Sequence, residues 1–213
     1  MDARYYIEAD GQIFLVRRNG RLDLPFANEV PFEFDRVAPL PAGDDVWFCV
    51  PRLAEHPSDW VSKDRVDGLD TVTPLVREAV HASMPRVVVE GICVEDGKIL
   101  LVKGSRGLTK DRWTLPGGFL RFGEDPADGL RREIHEELGV EAEIGDLIAV
   151  RSKLGESSRL HWILFFYRVR LSGTPRPNPD EIAQIRSVEI AEGAEMLMDG
   201  AMRGIVARLG DDA

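Results

Sequence analysis

One segment restricts the fold of this chain more than any other: Gly118 to Val140, GFLRFGEDPADGLRREIHEELGV. It reads as a glycine-bounded loop followed by one helix with both ends marked. Asp125-Pro126 starts the helix, and Gly139 stops it by permitting a left-handed backbone. At 100° per residue, Ala127, Leu130, Ile134 and Leu138 fall on one stripe. Glu133, Glu136 and Glu137 fall on the adjacent stripe, at the i, i+3, i+4 spacing that makes side chains neighbours. Arg132 lies beyond the acidic stripe and His135 opposite it. The helix is expected to pack by one edge and to present three carboxylates along the next.

Three like charges at this spacing repel, by a few tenths of a kcal/mol per close pair on an exposed helix, so something should compensate them. A solvated acidic face is one reading. The other is a cation: an oxygen-only donor set without cysteine selects a hard ion, Mg2+ or Mn2+, over zinc. Mg2+ keeps several waters and is usually shared between protein carboxylates and substrate phosphates. Such a site is a candidate for metal-assisted attack of water on a phosphoanhydride. The Pro116-Gly117-Gly118 turn lets backbone approach closely, so a main-chain carbonyl at Gly118 could complete the coordination.

The rest of the chain supplies a scaffold. Residues 1–70 read as a small β-rich unit, with hairpin signals at Asp10-Gly11 and Asn19-Gly20 and an apolar strand at Val46–Val50. Thr73-Pro74 opens a helix that Pro85 ends, read as a helical linker over 71–85. From 86 to 213 strands are expected at 87–94, 99–102, 113–115, 148–150, 162–169 and 185–190, with a C-terminal helix over 191–209. An echo links the two parts. Asp10-Gly-Gln-Ile-Phe-Leu-Val-Arg resembles Asp96-Gly-Lys-Ile-Leu-Leu-Val-Lys, and Leu-Pro follows each, at 24–25 and 115–116. Either any tight hairpin looks like this, or the N-terminal unit is a decayed copy of the front of the main domain. It has no glycine pair after its Leu-Pro and no acidic helix, so it should lack chemistry on both readings.

Composition narrows the class. With 44% hydrophobic and 30% charged residues the chain is globular. Lys and Arg number 27 against 37 Asp and Glu, a net charge of −10, which argues against a sequence-independent grip on long nucleic acid. No run approaches the roughly 20 apolar residues of a membrane span. The first residues lack a secretory signal, and Cys49 and Cys93 are too few and isolated for a disulfide framework, so a cytoplasmic location is expected.

The segment 118–140 also fits Gly-x5-Glu-x7-Arg-Glu-U-x-Glu-Glu-x-Gly-U, with U a bulky aliphatic, at Gly118, Glu124, Arg132, Glu133, Ile134, Glu136, Glu137, Gly139 and Val140. Chance occurrence in a chain of this length is on the order of one in ten million. This is the Nudix box, and the chain resembles the Nudix hydrolase family. The resemblance implies an α/β/α sandwich with a mixed sheet over residues 86 to 210 and leaves residues 1–70 outside it. It implies metal-dependent hydrolysis of a diphosphate linking a nucleoside to another group: a nucleotide sugar, ADP-ribose or a nucleoside triphosphate. By that resemblance Glu133, Glu136, Glu137 and the Gly118 carbonyl hold Mg2+ or Mn2+. Arg132 orients the glutamates and Glu124 supports them. Relatives with a β-rich N-terminal extension often pair through it, so a homodimer is implied.

By the same resemblance the general base is a glutamate of the box, with Glu133 the first choice, or one on a later loop, where Glu181 stands before the strand at 185–188. His135 faces away from the acids. Arg106 and Arg112, in the basic loop 103–112, could meet phosphates, and Phe122, inside the box loop, could stack on a base, as could Trp113 or Trp162. Markers of substrate subclass fail: the proline about 15 residues past the box in ADP-ribose relatives is Gly155 here. A non-catalytic nucleotide sensor on the same fold is the main alternative, against which the intact box weighs.

Overall fold

The computed structural model describes residues 2–55, 57, 59–156 and 158–211. The chain divides into two compact units: residues 1–85 with 154–161, and residues 86–153 with 162–213.

The first unit holds β1 (Arg4–Ala9), β2 (Gln12–Phe14), β3 (Val16–Arg18), β4 (Arg21–Asp23), β5 (Phe34–Leu40), β6 (Val46–Pro51), β7 (Val61–Ser62) and helix α1 (Pro74–Ser83). The turn signals act as read: Asp10, Gly11, Asn19 and Gly20 all adopt positive φ, which turns of this kind require. Helix α1 begins behind Thr73 with Pro at its first turn. Its Val76, Ala79, Val80 and Ala82 are buried with Tyr6, Ile13, Leu24 and Val46, so the helix read as a linker is part of this unit's core.

The second unit contains β8 (Arg86–Glu95), β9 (Lys98–Gly104), β10 (Trp113–Thr114), β11 (Gly117–Phe119), α2 (Pro126–Leu138), β12 (Glu141–Leu154), β13 (His161–Ser172), β14 (Ile182–Glu189), α3 (Ile190–Met196) and α4 (Gly200–Asp211). Its sheet runs β10-β9-β8-β13-β12, with β14 added to β9 and β11 to β8. Strand β13 is parallel to β8, while β9 and β11 are antiparallel to it, so the sheet is mixed. Period-two alternation along β8 serves both faces. Val89 and Cys93 pack with Leu130, Ile134 and Leu138 of α2, whereas Ile92 packs with Leu164, Phe166, Ile205 and Val206 on the side of α3 and α4. This is the expected α/β/α sandwich. Each fully buried aliphatic of α2 contributes roughly 1.5–3 kcal/mol.

Two expectations change. Strand β12 runs over 14 residues, far beyond 148–150. The helix expected over 191–209 is two helices. Asp199 interrupts it, because its carboxylate accepts hydrogen bonds from the backbone N–H groups of Ala201 and Met202 and so caps α4. Among the described residues no helix is long and apolar enough to cross a membrane.

The sequence echo is matched by an echo of connectivity. In the first unit the order is β5-β6-β1-β2, with β6 parallel and β2 antiparallel to β1. In the second it is β12-β13-β8-β9, with β13 parallel and β9 antiparallel to β8.

Candidate active site

Helix α2 is terminated as its sequence predicts. The Asp125 side chain accepts from the Ala127 N–H at 3.0 Å, and Gly139 takes the left-handed conformation with φ 64°. Its acidic stripe, read as three carboxylates along the edge next to the packed one, is graded. Glu137 is only 8% exposed and belongs to the packed edge, the Glu133 side chain is 13% exposed, and that of Glu136 is 38% exposed. The helix is rotated so that the acids run from the sheet out to the surface.

The two glycines before the helix act differently. A Cβ on Gly117 would lie 2.1 Å from the Val89 carbonyl oxygen, so only glycine lets β11 close on β8. A Cβ on Gly118 would fall 2.6 to 2.9 Å from the carboxylate atoms of Glu133; the missing side chain is the space that this carboxylate fills. Gly117 also donates its N–H to Glu137 Oε2 at 3.0 Å.

Arg132 organises the acids. Its Nε and Nη2 grip Glu124 as a fork, both at 2.7 Å, Nη1 reaches Glu133 at 2.6 Å and Glu136 at 3.1 Å, and Nη2 also donates to the Phe119 carbonyl. The fork holds the Glu124 carboxyl down at about 2, assisted by the Arg121 N–H. Arg121, which sequence reading missed, adds a 2.9 Å bond to Glu136. Burial pushes Glu137 up to about 8, with the charges of Glu133, Glu181 and Glu136 adding to it against the Gly117 hydrogen bond. Burial likewise raises Glu133, against Arg132.

The loop candidate Glu181 is brought to the same place. The loop preceding it docks on the C-terminal carbonyls of α2, which the helix leaves unpaired. Asn178 N–H bonds the Glu137 carbonyl at 2.9 Å, and Arg176 N–H bonds that of Leu138 at 2.8 Å. Arg106 then meets Glu181 at 2.7 Å. The other candidates are not gathered in: the side chains of Arg112 and Phe122 are exposed, and His135 faces outward near Glu141. The aromatic pair at the box loop is Phe119 with Trp162, ring centroids 5.6 Å apart. Sequence reading also missed Glu90, buried on β8 beside Gly117. The sequence signal was there, a lone charge in the run Val87-Val-Val-Glu-Gly-Ile-Cys-Val94.

Among the described residues no three acidic, imidazole or thiol groups converge as they stand into a closed ion cage; the Arg132 guanidinium sits between Glu124, Glu133 and Glu136. The donor set still fits a hard cation. It is all oxygen, and one buried carboxylate oxygen, Glu90 Oε2, has no hydrogen-bond partner.

A family model described as the NUDIX domain matches residues 83–209. The chain belongs to the NUDIX family. It is 36% identical over 89 residues to an ADP-ribose pyrophosphatase of Methanocaldococcus jannaschii, covering 42% of this chain and 53% of that one. It is 37% identical over 75 residues to a MutT-like protein of Streptomyces ambofaciens, covering 35% and 47%. The chain thus spans about half the length of the curated relatives it matches. The crystal structure of a MutT NUDIX hydrolase from Burkholderia pseudomallei aligns with a TM-score of 0.53 at 30% identity, covering 60% of this chain and 99% of that chain. All three matches fall short of the full chain, in keeping with a family domain that begins at residue 83.

Proposed function

We propose that this protein hydrolyses a diphosphate linkage between a nucleoside and another group, releasing a nucleoside monophosphate and the phosphorylated partner. The supporting observation is the Arg132 clamp, which holds Glu124, Glu133 and Glu136 beside the glycine turn while Glu137 is drawn in by Gly117. A divalent cation, Mg2+ or Mn2+, bound by Glu133, Glu136, Glu137 and the Gly118 carbonyl would neutralise the diphosphate oxygens.

The chain's own groups do the rest. Arg132 keeps the carboxylates in register and the box loop in place through Glu124 and the Phe119 carbonyl. Glu133 is the base: its carboxylate fills the space beside Gly118 and is held there by Arg132, placed to take a proton from the attacking water as the bond from phosphorus to the bridging oxygen breaks. Glu181 is the second choice, since Arg106 already binds it. Released from Glu181, Arg106 can turn to a substrate phosphate. Arg112 and Phe122 remain candidates for substrate contact, and Phe119 with Trp162 offers a ring surface for the base.

Nucleotide sugars, ADP-ribose and nucleoside triphosphates are the classes to test, with ADP-ribose first because one relative bears that name. The test incubates the protein with a panel of these and Mg2+ and identifies the products. Binding without hydrolysis of any of them would make the protein a sensor. The N-terminal unit is proposed, on the resemblance alone, as the pairing surface of a homodimer. A molar mass near 23.8 kDa by light scattering would end that proposal.

A further inference from the structure

Three charged side chains are buried among the described residues: Asp23, Glu90 and Glu137. Asp23 carries its own compensation. It accepts hydrogen bonds from Arg4, Arg18, Thr73 and the Leu24 N–H. Glu137 has the Gly117 N–H. Glu90 is 4% exposed, and its Oε2 is the one buried side-chain oxygen or nitrogen left without a hydrogen-bond partner among the described residues. An orphaned polar atom costs about 1–3 kcal/mol, more for a charged group, and in a native protein calls for a reason.

The surroundings supply one. Glu90 stands opposite Gly117 in the β11 ladder and opposite Phe166 in the β13 ladder, so strands flank it on both sides. By strand alternation Glu90 shares the face of Ile92 and Phe166, and its link to Glu137 is Gly117, which stands opposite Glu90 in the ladder and gives its N–H to the Glu137 carboxylate, while Lys153 is ion-paired with Asp199. A structural role at this position would be met by an apolar residue, as its neighbours Val87, Val88, Val89 and Ile92 show. A buried carboxylate with one oxygen unspent, one glycine away from a second buried carboxylate, fits a positive charge that arrives from outside.

Resting on the reading of this site as a hydrolase cation centre, we propose that Glu90 is a fourth carboxylate donor, its free oxygen and the carboxylate of Glu137 binding a divalent cation together. Glu90 lies outside the motif, 28 residues before Gly118, and adds to the donors expected there.

The test is Mn2+ alone, titrated into the full-length protein and read by electron paramagnetic resonance and by the shift in melting temperature. The parent is expected to bind Mn2+ and to melt higher with it. Glu90→Gln is expected to weaken Mn2+ binding at least tenfold and to shrink that shift, yet to melt no lower than the parent in EDTA. Glu90→Asp should recover part of the affinity. If Glu90→Gln and Glu90→Asp bind Mn2+ as the parent does while Glu137→Gln does not, Glu90 is a structural residue and the proposal fails alone. If the parent binds no Mn2+, the cation-centre reading fails with it.

Discussion

Glu137 gives the sharpest test of the site because its burial and its charge pull in opposite directions. Its carboxyl is pushed up from 4.5 to about 8, first by burial and then by neighbouring carboxylates. The folded protein therefore binds this proton more tightly than the unfolded chain does. The stability so gained is complete below about pH 4.5 and is lost as pH climbs through the interval to about 8, where the side chain must ionise in place. The full distance between the two values corresponds to about 5 kcal/mol. That is a ceiling, since Glu133 and Glu90 relax when one charge leaves; mutational costs of burying polar groups set a floor of about 2 kcal/mol. Glu137→Gln keeps the shape and can still accept from Gly117 N–H, without the charge. In EDTA the variant is expected to match the parent near pH 5 and to exceed it by about 2 to 5 kcal/mol near pH 8.5, measured by urea denaturation. With Mg2+ at 100 times its dissociation constant the parent regains about 2.7 kcal/mol and the variant nothing. Turnover by the variant should be almost abolished. A variant no more stable than the parent at pH 8.5 in EDTA, or one active within tenfold of it, would refute the reasoning.

Arg132→Lys keeps a positive charge but cannot span Glu124, Glu133, Glu136 and the Phe119 carbonyl together. Steady-state kinetics should show kcat down about 100-fold with KM changed far less. Gly118→Ala would put a methyl group 2.6 Å from the Glu133 carboxyl carbon and force that group aside. A displacement of this size costs about 100-fold in turnover, with little change in the urea midpoint. Gly193→Ala would place a Cβ 2.5 Å from Ile99 Cγ2 where α3 meets the sheet. Overpacking of about 1–3 kcal/mol, offset in part by about 1 kcal/mol of helix propensity, should lower stability in denaturation while leaving kcat intact.

What the sequence revealed depended on how local the cause was. Helix α2 was legible to the residue because its cap, first-turn proline, apolar stripe and glycine stop act within a few positions of themselves. The sandwich was implied by the family resemblance, with strand-like runs on both sides of that helix in keeping with it. Distribution across the acidic stripe was not legible: whether Glu137 or Glu136 faces the sheet depends on how α2 seats on β8 and β11, a long-range contact. Glu181 reaches the site only because Asn178 and Arg176 satisfy the carbonyls at the end of α2, a docking that no spacing rule announces. Phe119 and Trp162 are 43 residues apart in sequence and meet through the registers of β11 and β13 on β8. Glu90 was visible as an oddity in an apolar run, but burial and the missing partner give that oddity its meaning.

The two units share a connectivity yet not a chemistry, and the difference starts at the same point in each, after the Leu-Pro pair. Behind Leu115-Pro116, Gly117 lets a strand close on β8 and Gly118 makes room for a carboxylate, and among the described residues Glu90 and Glu137 lie buried there with no arginine paired to either. Behind Leu24-Pro25 comes Phe26, whose ring lies under the guanidinium groups of Arg4 at 3.9 Å and Arg18 at 4.7 Å. Those same arginines neutralise the buried Asp23. Asp23, neutralised by its own arginines, stabilises a fold. Glu90 and Glu137, buried without an arginine, would gain from an arriving cation, and that need supports the phosphate chemistry proposed for the second unit.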